Sequence, residues 1–109
     1  MNTSDTLHIA EIPFEHGGVR FRYSRRMNAD GTQWIRHGRF AAYDESGSVK
    51  SEGEYVDGKE EGVWRDYHPN GTLAAEGRYE AGKEEGPWRF FDKDGREEKT
   101  VIYYRGSET

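Results

Sequence analysis

The feature that most limits the folds open to this 109-residue chain is an internal repeat with a period of 24 residues. Residues 53–75 read GEYVDGKEEGVWRDYHPNGTLAA and residues 77–99 read GRYEAGKEEGPWRFFDKDGREEK. Gly53 maps onto Gly77, Tyr55 onto Tyr79, Gly58 onto Gly82, Gly62 onto Gly86, Trp64 onto Trp88, Tyr67 onto Phe91 and Gly71 onto Gly95. A fixed period of this kind marks a stack of supersecondary units, none of which buries its apolar side alone. The same shift upstream puts Gly38, Phe40, Tyr43 and Gly47 in the places of Gly62, Trp64, Tyr67 and Gly71; downstream it puts Tyr103 and Gly106 in the places of Tyr79 and Gly82. Repeats therefore cover residues 38–106, with 107–109 as a tail. Upstream of Gly38 the register is lost. Residues 19–37 read as a divergent hairpin cap with an Asp30-Gly31 turn, and residues 1–18 form an N-terminal segment whose order the sequence leaves open.

Each unit alternates turn chemistry with short strand-like runs. The tetrads DESG (44–47), HPNG (68–71) and DKDG (92–95) end in glycine, which closes a tight hairpin in the left-handed region. The runs DGKEEG and AGKEEG read as a second, fully polar loop, so each unit holds two strands. Leu73, Ala75, Gly77 and Tyr79 alternate with Ala74, Glu76 and Arg78, which gives one apolar and one polar face. Glycine in mid-strand weakens a sheet, so Gly53 and Gly77 imply that the ring of Trp64 or Trp88 crosses the bare backbone. Three Trp, seven Tyr and five Phe supply large rings in a chain where charged residues (34%) outnumber hydrophobic ones (32%) and leucine occurs only at Leu7 and Leu73. Rings with polar tips suit a thin, half-exposed sheet better than a thick aliphatic core. The expected fold is all-β: an elongated antiparallel β-meander of hairpin repeats in a thin or single-layer twisted sheet.

The segments GEYVDGKEEGVWRDYHPNG and GRYEAGKEEGPWRFFDKDG match G-x-Y-x-x-G-x-x-x-G-x-W-x-x-Y/F-x-x-x-G at every marked position, and this pattern resembles the bacterial variant of the MORN repeat. The resemblance covers about residues 38–106 and implies a meander in which each repeat is a hairpin. It also implies roles in binding. Members of the bacterial variant resemble the antitoxin half of toxin-antitoxin-like pairs, and MORN proteins elsewhere look like scaffolds, dimerising rods or membrane-associated modules. Fold analogy fixes none of these roles by itself.

Little in the sequence points to chemistry. There is no cysteine, which removes disulfides, thiolate metal sites and a thiol nucleophile. His8, His16, His37 and His68 lack the close spacing of a zinc site, so no metal or cofactor is expected. The serines have no nucleophile-elbow context, and GKEEG lacks the strand and glycine arc of a phosphate loop. Glu60-Glu61 and Glu84-Glu85 read as solvated loop charges rather than as an acid/base pair. No catalytic residue is assigned.

The expected function is non-enzymatic binding of a protein partner through the aromatic face of the repeats. Its candidate contacts are Trp64, Trp88, Tyr55, Tyr79, Tyr103, Tyr67 and Phe91, since a thin sheet leaves ring surface exposed and Trp and Tyr beside charges are typical of hot spots. An acidic rim of Asp57, Glu60, Glu61, Glu84 and Glu85 favours a basic partner. The net charge of −5 is uneven, +2 over residues 1–40 and −7 beyond them. A second reading is a self-assembling scaffold rod that pairs through its terminal strand edges. A third is nucleic-acid binding through Arg20, Arg22, Arg25 and Arg26 among Phe21 and Tyr23, which overall acidity and strand alternation both oppose. No window approaches a transmembrane span and no leader is read at the N-terminus, so the expected location is cytoplasmic.

Overall fold

In the computed structural model, which describes residues 7–109, the chain is a single open sheet of nine antiparallel strands in sequence order. The strands are β1 (His8–Pro13), β2 (Val19–Met27), β3 (Trp34–Tyr43), β4 (Val49–Val56), β5 (Lys59–Tyr67), β6 (Leu73–Glu80), β7 (Lys83–Phe91), β8 (Glu97–Tyr104) and β9 (Ser107–Glu108). Principal extents are 47 × 37 × 22 Å. The all-β meander expected from the repeat is what the chain forms. The N-terminal segment contributes β1, which pairs with β2 and lies beyond the 19–37 hairpin, while residues 1–6 of that segment lie outside the described residues. Strand β3 runs without a break across the division between residues 37 and 38.

Turns of two kinds occupy the two edges reached by alternate strand ends. On one edge the DESG, HPNG and DKDG tetrads close with Gly47, Gly71 and Gly95 at φ 90°, 90° and 87°. Their backbone closure repeats, with Gly47 N–H donating to the Asp44 carbonyl at 3.0 Å, Gly71 to His68 at 2.8 Å and Gly95 to Asp92 at 3.0 Å. On the other edge the connections shrink to two residues, Asp57-Gly58, Ala81-Gly82 and Arg105-Gly106, all at positive φ as a type I′ hairpin turn requires. The polar loop expected over the whole of DGKEEG is therefore only Asp57-Gly58. Lys59, Glu60 and Glu61 are already in β5, because a type I′ turn needs just two residues and the rest pair with Val56, Tyr55 and Glu54.

The short turns also bind each repeat to the one before. Gly58, Gly82 and Gly106 N–H donate to the carbonyls of Arg36, Glu60 and Glu84, each at 2.9 Å. The residue preceding each of these glycines has its N–H taken by a side chain one position further along the earlier strand. Asp57 N–H donates to His37 Nδ1 at 3.1 Å, Ala81 N–H to Glu61 Oε2 at 2.9 Å and Arg105 N–H to Glu85 Oε2 at 2.9 Å.

The core is one face of the sheet. Phe40, Ala42, Trp64 and Trp88 are buried there, and Phe21, Tyr23, Tyr55, Tyr79, Phe90 and Tyr103 pack against them. A side chain on Gly53 would sit inside the Trp64 indole, and one on Gly77 inside that of Trp88. The rings do cross the glycines, as the sequence implies. A bulge beside each glycine frees a carbonyl, and the indole takes it: Trp64 Nε1 donates to Glu54 O at 3.0 Å and Trp88 Nε1 to Arg78 O at 3.1 Å. The opposite face is charged. Along it Glu11, Arg22, Ala41, Glu52, Arg65, Glu76, Arg89 and Thr100 form one cross-strand row in which signs alternate, and Arg65 meets Glu76 at 2.6 Å. Such exposed pairs add little stability each, but they keep the face solvated.

Candidate functional site

The aromatic face is a continuous series of rings. Phe40 lies 5.6 Å from Trp64, and from there Tyr55, Trp64, Tyr79, Trp88 and Tyr103 meet edge to face at centroid distances of 5.3, 5.9, 5.1 and 6.4 Å. These T-shaped contacts follow from the alternation of a tyrosine strand with a tryptophan strand, and they are the preferred geometry of ring quadrupoles. A groove of about 540 Å³ opens on this face between β2 and β6, with Phe21, Phe40, Trp64 and Tyr79 in its floor and Asp44, Glu45, Glu60 and Asp66 among its walls. Arg20 and Lys50 line it as well.

The seven rings named from the sequence do not share one environment. Tyr55, Tyr79 and Tyr103 lie half-buried on the aromatic face. Trp64 and Trp88 are on that face too but are only 7% and 6% exposed, so they are the packing beneath it rather than contact surface. Tyr67 and Phe91 belong to the other face. Each lies three positions past its tryptophan, an odd step, so strand alternation turns it over. Tyr67 Oη donates to Glu52 at 2.8 Å, burial and the Glu52 carboxylate raising its pKa, and Phe91 carries the Arg89 guanidinium at 5.1 Å. The ring that does join the aromatic face from that stretch is Phe90.

The acidic rim divides as well. Asp57 is paired with Arg26, whose hydrogen bond holds the carboxyl below its ordinary range. Glu61 and Glu85 are committed to the turn N–H groups of Ala81 and Arg105. Glu60 and Glu84 point to the aromatic face, directly across from Tyr55 and Tyr79, and among the described residues neither forms an ion pair or side-chain hydrogen bond. Alternation thus sends the two members of each Glu-Glu pair to opposite faces, which explains why adjacency in sequence gives no paired carboxylates in space. Tyr79 reports the resulting field: burial first, then Glu84, Glu60 and Asp66, push its pKa up to about 12.

The four arginines of the N-terminal hairpin are dispersed. Arg20 lies over Phe21 at 5.0 Å, Arg22 is opposite Glu11 on the charged face, Arg25 covers Trp34 at 4.3 Å and Arg26 is paired with Asp57. Strict alternation predicts Arg20 and Arg22 on one face. The bulge between Ile12 and Pro13 interrupts it, and Arg20 reaches the groove. Sequence reasoning missed Arg36. Its guanidinium stands 4.9 Å from Tyr23, 5.3 Å from Phe40 and 5.4 Å from Tyr55. The signal was available, since Arg36 is one period before Glu60.

Residues 36–57 and 60–81 match the MORN repeat variant. These are the β3-β4 and β5-β6 hairpins, so the unit of the MORN match begins at the strand that carries Arg36 or Glu60. The β7-β8 hairpin lies outside the match but repeats the same register, with Gly86 opposite Tyr103 as Gly62 is opposite Tyr79. MORN repeats generally are non-enzymatic and commonly take part in protein or membrane interactions. No curated protein matches the chain. Among the described residues no group of three or more His, Asp or Glu side chains is placed to hold a metal ion, and no helix is long and apolar enough to cross a membrane.

Proposed function

We propose that this chain is a non-enzymatic protein-binding module whose partner lies along the aromatic face. The observation that carries this reading is a row of half-buried tyrosines, Tyr55, Tyr79 and Tyr103, on a face that no second layer covers among the described residues, with Tyr79 also lining the groove. Rings held from below by Trp64 and Trp88 lose little freedom when a partner covers them, which is the economy of a hot spot. The unpaired Glu60 and Glu84 favour a basic partner. Occlusion of the partner, as by an antitoxin or immunity protein, is the mode this reading prefers, supported by the resemblance of its repeats.

The test is affinity capture from the native extract with the intact chain and with Tyr55→Ser/Tyr79→Ser, the variant first shown by circular dichroism to keep its sheet. A single stoichiometric protein held by the first and lost by the second supports the reading, and equal capture by both removes it. A scaffold rod is favoured by one other observation. Among the described residues no strand pairs with the outer edge of β1, and Ile9 and Ile12 on it are exposed at 62% and 42%. Growth of mass with concentration in light scattering, abolished by Ile9→Lys, would support the rod.

A further inference from the structure

The chain contains one worked example of what its aromatic face does with a cation. Position 36 recurs at 60, 84 and 108, and the residues there are Arg36, Glu60, Glu84 and Glu108. Arg36 fills the space among a ring of its own strand (Phe40), a ring of the next strand (Tyr55) and a ring of the preceding strand (Tyr23), and its Nη1 reaches Tyr55 Oη at 3.4 Å. Two of these rings recur with the repeat. Around Glu60 they are Trp64 and Tyr79, with Tyr55 directly across on the preceding strand; around Glu84 they are Trp88 and Tyr103, with Tyr79 across. Glu108 is across from Tyr103 at the C-terminal end of the same row. The register of the rings is thus kept while the built-in cation is exchanged for a carboxylate, the tyrosines being the accessible rings. Aromatic faces beside an unpaired carboxylate are the setting in which a guanidinium gains both cation-π and charge-assisted contacts.

Spacing narrows the occupant further. One repeat is two strands, so successive glutamates are about 9.6 Å apart along the sheet. A polyproline-II chain advances about 9.3 Å in three residues and returns every third side chain to the same side. A β-extended chain puts its third side chain on the opposite side, so it does not satisfy the row.

Resting on the partner-binding reading above, we propose that Glu60 and Glu84, continued by Glu108 and each flanked by repeat rings, form a row of cation sites. This row grips arginines at every third position of an extended, polyproline-II-like basic segment. Arg36 closes the row at its N-terminal end by occupying the first site itself.

The test uses the full chain and a fluorescent peptide of three Arg-Pro-Pro units, read by anisotropy at low salt. It is compared with a peptide of the same composition whose three arginines are consecutive. The spaced peptide is expected to bind about fivefold tighter or more, and Glu60→Gln and Glu84→Gln each to weaken it about threefold to tenfold. Glu60→Arg, which gives the second site a cation of its own, is expected to remove the preference for spacing while the circular dichroism of the sheet is retained. Glu54→Gln, on the charged face, is expected to leave binding unchanged.

Equal affinity for both peptides, or equal weakening by Glu54→Gln, would overturn the proposal, since it would show unspecific attraction to an acidic chain. Binding to phosphatidylserine vesicles that the spaced peptide does not compete for would overturn it in favour of a membrane. If the peptide fails while the partner is still lost in Tyr55→Ser/Tyr79→Ser, the cation row falls and the binding face stands.

Discussion

The N-terminal strands β1 to β3 and the repeat strands β4 to β7 solve the same problem differently. In the repeats a tryptophan crosses a glycine of the preceding strand and anchors its N–H on the next carbonyl. In the N-terminal region the strand register places Tyr23 where the repeats have glycine. The crossing ring is then Phe40, stacked on Tyr23 at 6.2 Å with interplanar angle 30°, and Arg36 lies against both rings. With no bare backbone to cross, the ring stacks and needs no N–H. The comparison teaches that the glycine and the indole are one device, and that where the glycine is lost the indole and the open carboxylate site are lost with it.

Removing the ring should have the largest effect. Trp64→Ala is expected to cost about 4 kcal/mol, because it empties the centre of the ring series, whereas Trp64→Phe, which imitates the N-terminal solution without Tyr23, is expected to cost about 2 kcal/mol. Urea unfolding measures both, and near-equal losses would break the link between indole N–H and glycine. Gly77→Ala comes next, at about 3 kcal/mol in the same assay, since the new methyl must displace the Trp88 indole. Arg36→Ala should cost about 1 kcal/mol, the scale of a partly exposed cation over rings. Ala81→Gly works in the other direction. Ala81 sits at φ 49°, a left-handed conformation that disfavours a β-carbon, so the change should stabilise the β6-β7 hairpin by about 1 kcal/mol.

A further effect is electrostatic and is read only at alkaline pH. The Tyr79 hydroxyl, 10.0 in an unperturbed chain, is raised to about 12 in the fold. The folded state therefore holds this proton where the unfolded chain has released it, and its contribution is full below pH 10 and lost as pH rises toward 12. Thermal melts at pH 9 and pH 11.5 should show a drop that Tyr79→Phe reduces.

The period of 24 residues made the meander, the tetrad turns and the ring-over-glycine packing legible, because each rests on residues whose identity recurs. Faces were legible only where the count from a tryptophan was even. Tyr67 and Phe91 were misplaced because pairing rings by sequence similarity ignores the parity that decides which side they take. The acidic rim departs from its composition for a related reason. KEE looks like a loop from its composition, but a two-residue turn leaves it in strand, where Glu61 and Glu85 bind turn N–H groups and only Glu60 and Glu84 stay open. Arg36 lay two residues beyond the point at which the repeat seemed to end. Its role depends on three rings from three strands, which no local pattern displays.

The most direct test of the central claim is hydroxyl-radical footprinting of the chain alone and in complex with its captured partner. Protection of Tyr55, Tyr79 and Tyr103 is expected, with unchanged reactivity at Val63, Ile102 and Tyr104 on the charged face. Protection of Val63, Ile102 and Tyr104 with the three tyrosines unaffected would contradict it and move the binding surface to the other side of the sheet.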